Sequence, residues 1–455
     1  MADTIVALAT PTGRSGIGVV RLSGGDARDI AKKMMSGSTA ALEPRRARLF
    51  SISDPETSEI IDDAVVTYFK APASFTGEDV IEFACHGSPV ILRQVVDACL
   101  RLGARMAEPG EFSLRALANG KMDLAEAEAI RDLINARTTA SVRQAVRQMR
   151  GEMSHQLQPL KDELLDIIVV LESALEFVED DLPDSNIDDI SERLNAIKLK
   201  LEALAATFKT GRLLREGLKV ALVGPPNVGK SSLFNALLGS ERAIVTDIAG
   251  TTRDQLHEQL TVDDIPISLI DTAGLRQTDD VVESIGVERS RRTMADADVV
   301  IALMDVTDET QTVNGFEELD GANVIYLLNK IDLVDRETAE RIAQAVGGEA
   351  SQMPLLVSAK TGDGLEELKR AIKEPFIADD APFSGWMISD ARHHDLIRRS
   401  VEEVESSIML LKQRSSEEIT LLGLHNALRL LGEITGETTT EDMLTRIFST
   451  FCIGK

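Results

Sequence analysis

Residues 224–231 read Gly224-Pro-Pro-Asn-Val-Gly229-Lys230-Ser231 and stand between a short apolar run, Val220 to Val223, and a helical pattern that opens with Leu233 and Phe234. This is the spacing of a phosphate-binding loop. Its glycines let backbone N–H groups point inward at phosphate oxygens, and the following helix aims its positive end at the same place. Lys230 reaches the β- and γ-phosphates, with a catalytic part in stabilising transferred charge, and the Ser231 hydroxyl suits Mg²⁺. Asn227, Val228, Gly229, Lys230, Ser231 and Ser232 are therefore candidate contacts to a nucleoside triphosphate.

The base is read further on. Asn329-Lys330-x-Asp332 follows an apolar run, and the Asp332 carboxylate can accept two hydrogen bonds from guanine that adenine cannot supply. Ser358-Ala359-Lys360 follows another strand, where a backbone N–H meets the guanine oxygen. Asp271-Thr272-Ala273-Gly274 supports Mg²⁺ through Asp271 and senses the γ-phosphate through the Gly274 N–H. Between them Thr246, Asp247, Ile248, Ala249, Gly250, Thr251 and Thr252 form the segment whose threonine closes over Mg²⁺. Five motifs in this order resemble the translation-factor-related branch of P-loop GTPases.

The residue after Gly274 is Leu275, where many switch GTPases carry a water-orienting glutamine. An aliphatic side chain cannot hydrogen-bond the attacking water. Hydrolysis then needs another polar group, a monovalent cation, a partner surface or a mixture of these. Glu283 is the nearest acid for the first role; as a bare sequence position it reads more readily as a solvated acid on a surface helix. Asn227 could help hold a cation beside the phosphates.

The elements that must position these groups fall into four segments. Residues 1–120 read as a compact α+β domain, with strands in TIVALAT, GIGVVRLSG, DDAVVTYFK and DVIEFACHG and a helix over SPVILRQVVDACLRLG. Residues 121–212 are helical in period: one long helix from Leu124 that the acidic stretch around Pro183 breaks, then a second. Residues 213–377 carry the nucleotide motifs as a Ras-like α/β domain, and 378–455 return to helices, the last opening on a capping signature at Thr438-x-x-Glu441. The expected fold is multidomain α/β plus α, with one helical domain interrupted by an inserted GTPase; shielded contacts between 130–200 and 390–450 would mark the insertion.

Lys+Arg total 49 against Asp+Glu 75, a formal charge of -26. A field of that sign does not attract nucleic acid, so any RNA must meet a local basic patch or be gripped by a second protein. Three cysteines without metal-ligand spacing fit a reduced cytoplasmic compartment, and no apolar run is long enough for a membrane span. Cys85 and His86, adjacent on a strand, point to opposite faces, which makes Cys85 a core residue rather than half of a catalytic pair.

ATPTGRSGIGVVRLSG, FTGEDVIE, EPGEFSLRA and the terminal FCIGK, around a central GTPase flanked by helices, resemble the tRNA modification GTPases of the MnmE or TrmE family over essentially the whole chain. The resemblance implies a homodimer joined through an N-terminal folate-binding-like domain. It also implies a flavin- and NADH-dependent partner (MnmG, or GidA), with which members install an aminomethyl-type group on carbon 5 of the wobble uridine from a tetrahydrofolate one-carbon unit. Carried over residue by residue, the folate site would use Arg21, Glu82, Lys121 and Lys455. K⁺ would be held by Asn227, Thr246, Ile248 and Thr251, Mg²⁺ by Ser231 and Thr252, and Glu283 would be the catalytic glutamate. Cys452 could be a nucleophile toward the uridine ring; packing of the terminal motif is the alternative. GTPases that assemble ribosomal particles share the same nucleotide motifs, but they carry an appended basic RNA-binding module, and none is legible here.

Overall fold

The computed structural model describes residues 3–35, 42–176, 184–240, 257–271, 297–308, 323–347, 353–376, 385–414, 417–438 and 440–454. The chain divides into two compact units, Met1–Ile134 with Val146–Ile197 and Glu402–Lys455, and Asn135–Ala145 with Lys198–Val401.

The first unit begins with β1 (Ile5–Leu8), β2 (Ser15–Ser23), α1 (Ala27–Met34), β3 (Arg48–Ser53), β4 (Ile60–Phe69), β5 (Val80–Gly87), α2 (Pro89–Arg101), β6 (Arg105–Met106) and α3 (Glu111–Ala118). Among the described residues the strands form one sheet in the order β3-β4-β5-β2-β1-β6, antiparallel except for β1 beside β6. β3 is an addition to the sequence reading: RLFSIS is short and only its second half is well buried. Alternation assigns the faces. Val20, Leu22, Ile81 and Phe83 point into a core closed by Ile30, Met34, Val95 and Cys99 of α1 and α2. The intervening residues point the other way, where Ile5, Ala7, Phe75, Ala107 and Phe112 cluster. Arg21 and Glu82, register partners on β2 and β5, belong to that second face.

The helical run from Leu124 is not one helix but three, α4 (Leu124–Asn135), α5 (Thr139–Met149) and α6 (Glu152–Glu176), followed by α7 (Asp184–Ala206). Local polar chemistry breaks it. Thr138 and Ser141 cap each other reciprocally, Ser141 N–H to Thr138 Oγ1 at 3.1 Å and Thr138 N–H to Ser141 Oγ at 3.0 Å. Gly151, at φ +78°, ends α5 in a conformation that a side chain would disfavour.

The second unit holds α8 (Phe208–Glu216), β7 (Leu218–Val223), α9 (Lys230–Ser240), β8 (His257–Val262), β9 (Ile265–Asp271), β10 (Val299–Asp305), β11 (Asn323–Asn329), a 3₁₀ turn (Ile331–Leu333), α10 (Arg336–Gly347), β12 (Leu355–Leu356) and α11 (Leu365–Lys373). The sheet order is β12-β11-β10-β7-β9-β8, parallel except for β8 against β9. Such a sheet is buried on both faces. Val220 and Leu222 pack with Leu233, Phe234 and Leu368, while Ala221 and Val223 pack with Val300 and Ala302. The segments entering and leaving this domain are tied together. Ile388 N–H donates to Thr207 Oγ1 at 3.0 Å, Arg215 Nη1 to Asp390 Oδ2 at 2.7 Å, and Phe208 stacks on His394 with centroids 4.2 Å apart.

The chain then returns through α12 (Ala391–Lys412), α13 (Glu417–Thr435) and α14 (Glu441–Phe448). α13 packs on α6, with Lys161 Nζ 2.5 Å from Glu437 Oε1 and His425 Nε2 3.0 Å from Glu172 Oε1. These opposed pairings make α6 and α13 antiparallel neighbours, so helices from both sides of the GTPase join one unit, and the GTPase is an insertion. The expected cap at Thr438 is corrected: Thr440 is the N-cap of α14, and the Thr438 hydroxyl donates to the Arg429 carbonyl at 3.0 Å. Among the described residues no helix is long and apolar enough to cross a membrane.

Candidate functional site

β7 ends at Val223 and α9 starts at Lys230, so the phosphate-binding loop fills the gap between them. Asn227 sits at φ +64°, a left-handed turn that asparagine tolerates better than most residues, and its side chain is exposed with those of Ser231 and Ser232. Val228 is buried beneath the loop. Lys230 Nζ donates to the carbonyls of Gly224 at 2.7 Å and Pro225 at 2.8 Å, which holds the ammonium against the loop where phosphates would lie. Gly229 has φ +101°, and a Cβ there would stand 2.3 Å from Asn329 Nδ2. The loop and the base-reading motif are thus in contact.

Asn329 closes that contact. It is 1% exposed; its Nδ2 donates to the Val228 carbonyl at 2.9 Å and its Oδ1 accepts from Ala359 N–H at 3.1 Å. One amide therefore links the phosphate loop to the Ser358-Ala359-Lys360 loop. Ser358 Oγ donates to Asp332 Oδ1 at 2.7 Å, and Lys360 Nζ lies 3.7 Å from Oδ2. The Ser358 hydrogen bond holds the Asp332 carboxyl below its usual range, with the Lys360 charge adding to it. The residue remains ionised, as recognition of guanine by two accepted hydrogen bonds requires.

Sequence reading missed Asp305. It closes β10 beside the end of β11, and its Oδ2 takes a 2.5 Å hydrogen bond from Lys330 Nζ, while Thr307 N–H and Oγ1 bind Oδ1. Burial alone would push the Asp305 carboxyl up; Lys330 and Thr307 outweigh it and hold the carboxyl down. Lys330 itself sits at φ +66°. The only sequence signal was the acid in MDVTD, which without the strand register is one acid among many.

Thr246, Asp247, Ile248, Ala249, Gly250, Thr251, Thr252, Thr272, Ala273, Gly274 and Glu283 lie outside the described residues, as do Lys455 and the side chain of Asp271. Asn227 is thus the described member of the expected K⁺ set, and Ser231 of the Mg²⁺ set.

A second site forms in the first unit. Arg21 Nε and Nη2 bind Glu82 Oε1 at 2.9 and 2.8 Å, and the guanidinium lies 5.7 Å from the Phe75 ring centroid and 5.8 Å from that of Phe112. Arg21 Nη1 also donates to the Gly454 carbonyl at 3.2 Å, which brings the end of the chain to this spot. Gly454, at φ +95°, leaves no room for a side chain: a Cβ would stand 2.3 Å from the Leu8 carbonyl oxygen. Cys452 is exposed and its carbonyl accepts from Gly110 N–H at 3.4 Å. Lys121 is exposed, with its stem beside Gly77. A carboxylate paired with a cation that lies near two aromatic rings suits a flat heterocycle that both donates and accepts hydrogen bonds, so these residues fit a pterin.

Glu78 of FTGEDVIE and Glu111 and Arg115 of EPGEFSLRA join one ion network with a buried centre at Arg115 and Glu111. Arg115, 1% exposed, binds Asp3, Glu78 and Glu111, and Arg105 binds Glu111 Oε1 at 2.6 Å. Such a network contributes little over an apolar core when intact, but losing one member leaves a buried charge unpaired.

Cys85 is a core thiol, pushed up to about 12 by burial, while His86 faces solvent and pairs with Asp62 at 2.7 Å. The two do not form a pair.

A parallel sheet with a phosphate loop, Asn329-Lys330-x-Asp332 and Ser358-Ala359-Lys360 around one pocket defines a P-loop GTPase, a GTP hydrolase. A family model described as the MnmE helical domain matches residues 124–452, and one described as the N-terminus of the GTP-binding protein TrmE matches residues 4–121. The tRNA modification GTPase MnmE of Koribacter versatilis is 42% identical over 459 aligned residues, covering 100% of this chain and 99% of that protein. That of Aquifex aeolicus is also 42% identical and covers 100% of both. The G domain of the T. maritima FeoB iron transporter aligns at 31% identity over 34% of this chain and 97% of its own, with a TM-score of 0.25. The chain belongs to the MnmE family of tRNA modification GTPases.

Proposed function

We propose that this GTPase couples GTP hydrolysis to modification of carbon 5 of the wobble uridine in tRNA. It would act as a cytoplasmic homodimer together with a flavin-dependent MnmG-type partner that supplies most of the grip on tRNA. The tetrahydrofolate derivative, when bound, supplies the one-carbon unit. In this reading the domains are 1–120 for folate binding and dimerisation, 121–212 and 378–455 for the helical domain, and 213–377 for the GTPase.

The observation that carries the reading is the Arg21–Gly454 hydrogen bond. The polypeptide leaving the GTPase insertion ends against Arg21, Glu82 and two aromatic rings. Hydrolysis and the folate-type site are therefore consecutive on one chain.

The residues divide the work as follows. Asp332, oriented by Ser358, selects guanine. Asn329 sets the spacing between base and phosphates. Lys230 exchanges its carbonyl partners for the β- and γ-phosphate oxygens. Ser231 and Thr252 would hold Mg²⁺, and Asn227 with Thr246, Ile248 and Thr251 would hold K⁺, whose charge stands in for an arginine finger. Glu283 would orient the water that Leu275 cannot. Arg21, Glu82, Lys121 and Lys455 would bind the folate, with Cys452 beside it.

The test is nucleoside analysis of tRNA from a strain lacking the gene. Wobble uridines of the substrate tRNAs should lose their carbon-5 group; unchanged modification would reject the proposal.

A further inference from the structure

The C-terminal segment is held at two points by two arginines, each of which also faces an aromatic ring. Arg131 of α4 donates from Nη1 to the Thr450 hydroxyl at 3.0 Å, and its guanidinium lies 5.6 Å from the Phe451 ring centroid. Phe451 in turn packs on Phe448 with centroids 4.9 Å apart, inside a cluster with Leu124 and Ala127. Three residues on, Arg21 takes the Gly454 carbonyl at 3.2 Å. Cys452 and Ile453 span the interval, both with exposed side chains. The weak Gly110–Cys452 bond, 3.4 Å, is the described backbone contact within the span.

We infer that Arg131 is a positioning residue for the folate-type site: it fixes Thr450 and Phe451 so that residues 452–454 lie across Arg21 and Glu82 as one wall of that site. This rests on the folate reading above. The physical argument is one of anchors. A segment with exposed side chains and few backbone hydrogen bonds opens readily unless it is tied down. Gly454 packs on the Leu8–Ala9 backbone, and Arg21 adds one hydrogen bond to it from a guanidinium shared with the Glu82 ion pair. Arg131 supplies the second tie from the opposite side, where a cation–π contact and a hydrogen bond act on adjacent residues. Arginine suits the task because its planar fork can lie over a ring while its edge donates. Arg131 belongs to none of the nucleotide motifs, so its removal should leave GTP hydrolysis unchanged.

The experiment uses the full chain and the variants Arg131→Ala, Arg131→Lys and Thr450→Val. The last removes the Arg131 hydrogen bond from the tail side without touching α4, together with the local bond from Thr450 Oγ1 to the Ile447 carbonyl at 2.7 Å. Hydrogen exchange of the peptides covering 448–454 is compared with those covering 1–134. Faster exchange confined to the tail, by about tenfold in Arg131→Ala, less in Thr450→Val and partly restored in Arg131→Lys, supports the inference. Unchanged tail exchange, or equal loosening throughout 1–134, overturns it. Binding of 5-formyltetrahydrofolate is then measured by calorimetry. A several-fold weaker Kd in Arg131→Ala supports the positioning role, and an unchanged Kd beside a loosened tail overturns it. If the unaltered protein fails to bind the folate, the folate reading falls, and with it the wall's purpose; the two-point anchor is still judged on exchange alone.

Discussion

The Asn329 amide donates to the Val228 carbonyl 2.9 Å away and joins the base-reading motif to the phosphate loop. Nucleotide affinity thereby depends on a contact between two protein segments as well as on their separate contacts to ligand. Replacing Asn329 by Ala leaves the buried Val228 carbonyl without its donor and should cost about 1–3 kcal/mol. GTP binding, measured with a fluorescent analogue, should weaken by roughly one to two orders of magnitude. A Kd within twofold of the unaltered protein would show the link to be idle.

In the proposed reading Asp332 selects the base by accepting two hydrogen bonds. In Asp332→Asn one acceptor becomes a donor, so GTP should bind at least about tenfold more weakly, as expected for a lost charge-assisted hydrogen bond. Xanthosine triphosphate, which presents a carbonyl where guanine has its amino group, should gain. Competition binding with both nucleotides measures the exchange of preference; an equal loss for both would assign Asp332 to loop structure.

In the proposed mechanism Glu283 orients the attacking water. Glu283→Ala should lower the hydrolysis rate by about 10²–10³-fold while GTP affinity stays within a few-fold. The unaltered enzyme should be much faster in K⁺ than in Na⁺. Single-turnover phosphate release in the two salts measures both effects, and equal rates would remove the cation from the mechanism.

Asp390 gives the second unit an acid-sensitive tie. Burial alone would push its carboxyl up, but His393, Arg215 and the Arg392 N–H hold it well below the usual range. A depressed folded pKa means that the folded state binds fewer protons than the unfolded one at acid pH. Its contribution is complete above the unfolded value of about 3.9 and is lost as pH falls from there toward the folded value. Thermal melts from pH 7 to 3 should show a steeper acid loss in the unaltered protein than in Asp390→Asn, which should already be less stable at pH 7. Parallel pH profiles would contradict this.

The three thiols should differ sharply in reactivity. Burial pushes Cys85 and Cys99 up to about 12, whereas Cys452 is exposed. Since the thiolate is the reacting form, a disulfide reagent at pH 8 should consume one thiol rapidly in the native protein and three after denaturation. Cys452→Ser should abolish the fast phase; its persistence would mean that the first unit opens.

Sequence reading succeeded where chemistry is encoded by near neighbours. Gly229-Lys230-Ser231 and Asn329-Lys330-x-Asp332 each lie within a few residues, so strand and loop could be read together. It was incomplete where the partner lies far along the chain. Asp305 meets Lys330 only because β10 and β11 pair in parallel, and Arg115 meets Asp3 and Glu78 only because the first sheet folds. Arg131 looked like any helical arginine until Thr450 was placed beside it. Helical periodicity likewise passed over the breaks at Thr138 and Gly151, since apolar spacing continues across both while the reciprocal cap and the positive φ do not announce themselves in it. Thr438 offered a capping pattern two residues early, and its hydroxyl was spent on Arg429 instead.

The tie between the two ends of the GTPase insertion has a consequence in polymer terms. At Gly211 a Cβ would stand 2.1 Å from the Ile388 carbonyl oxygen, so the backbones entering and leaving the insertion touch. With Arg215 on Asp390 and Phe208 on His394, the intervening residues close their own loop, and the host helices need not supply the closing entropy. For an unpinned loop each doubling of length costs roughly 0.6 kcal/mol. Here that cost is borne inside the insertion, so surface segments of the GTPase can lengthen or shorten with little effect on the stability of the helices that carry it.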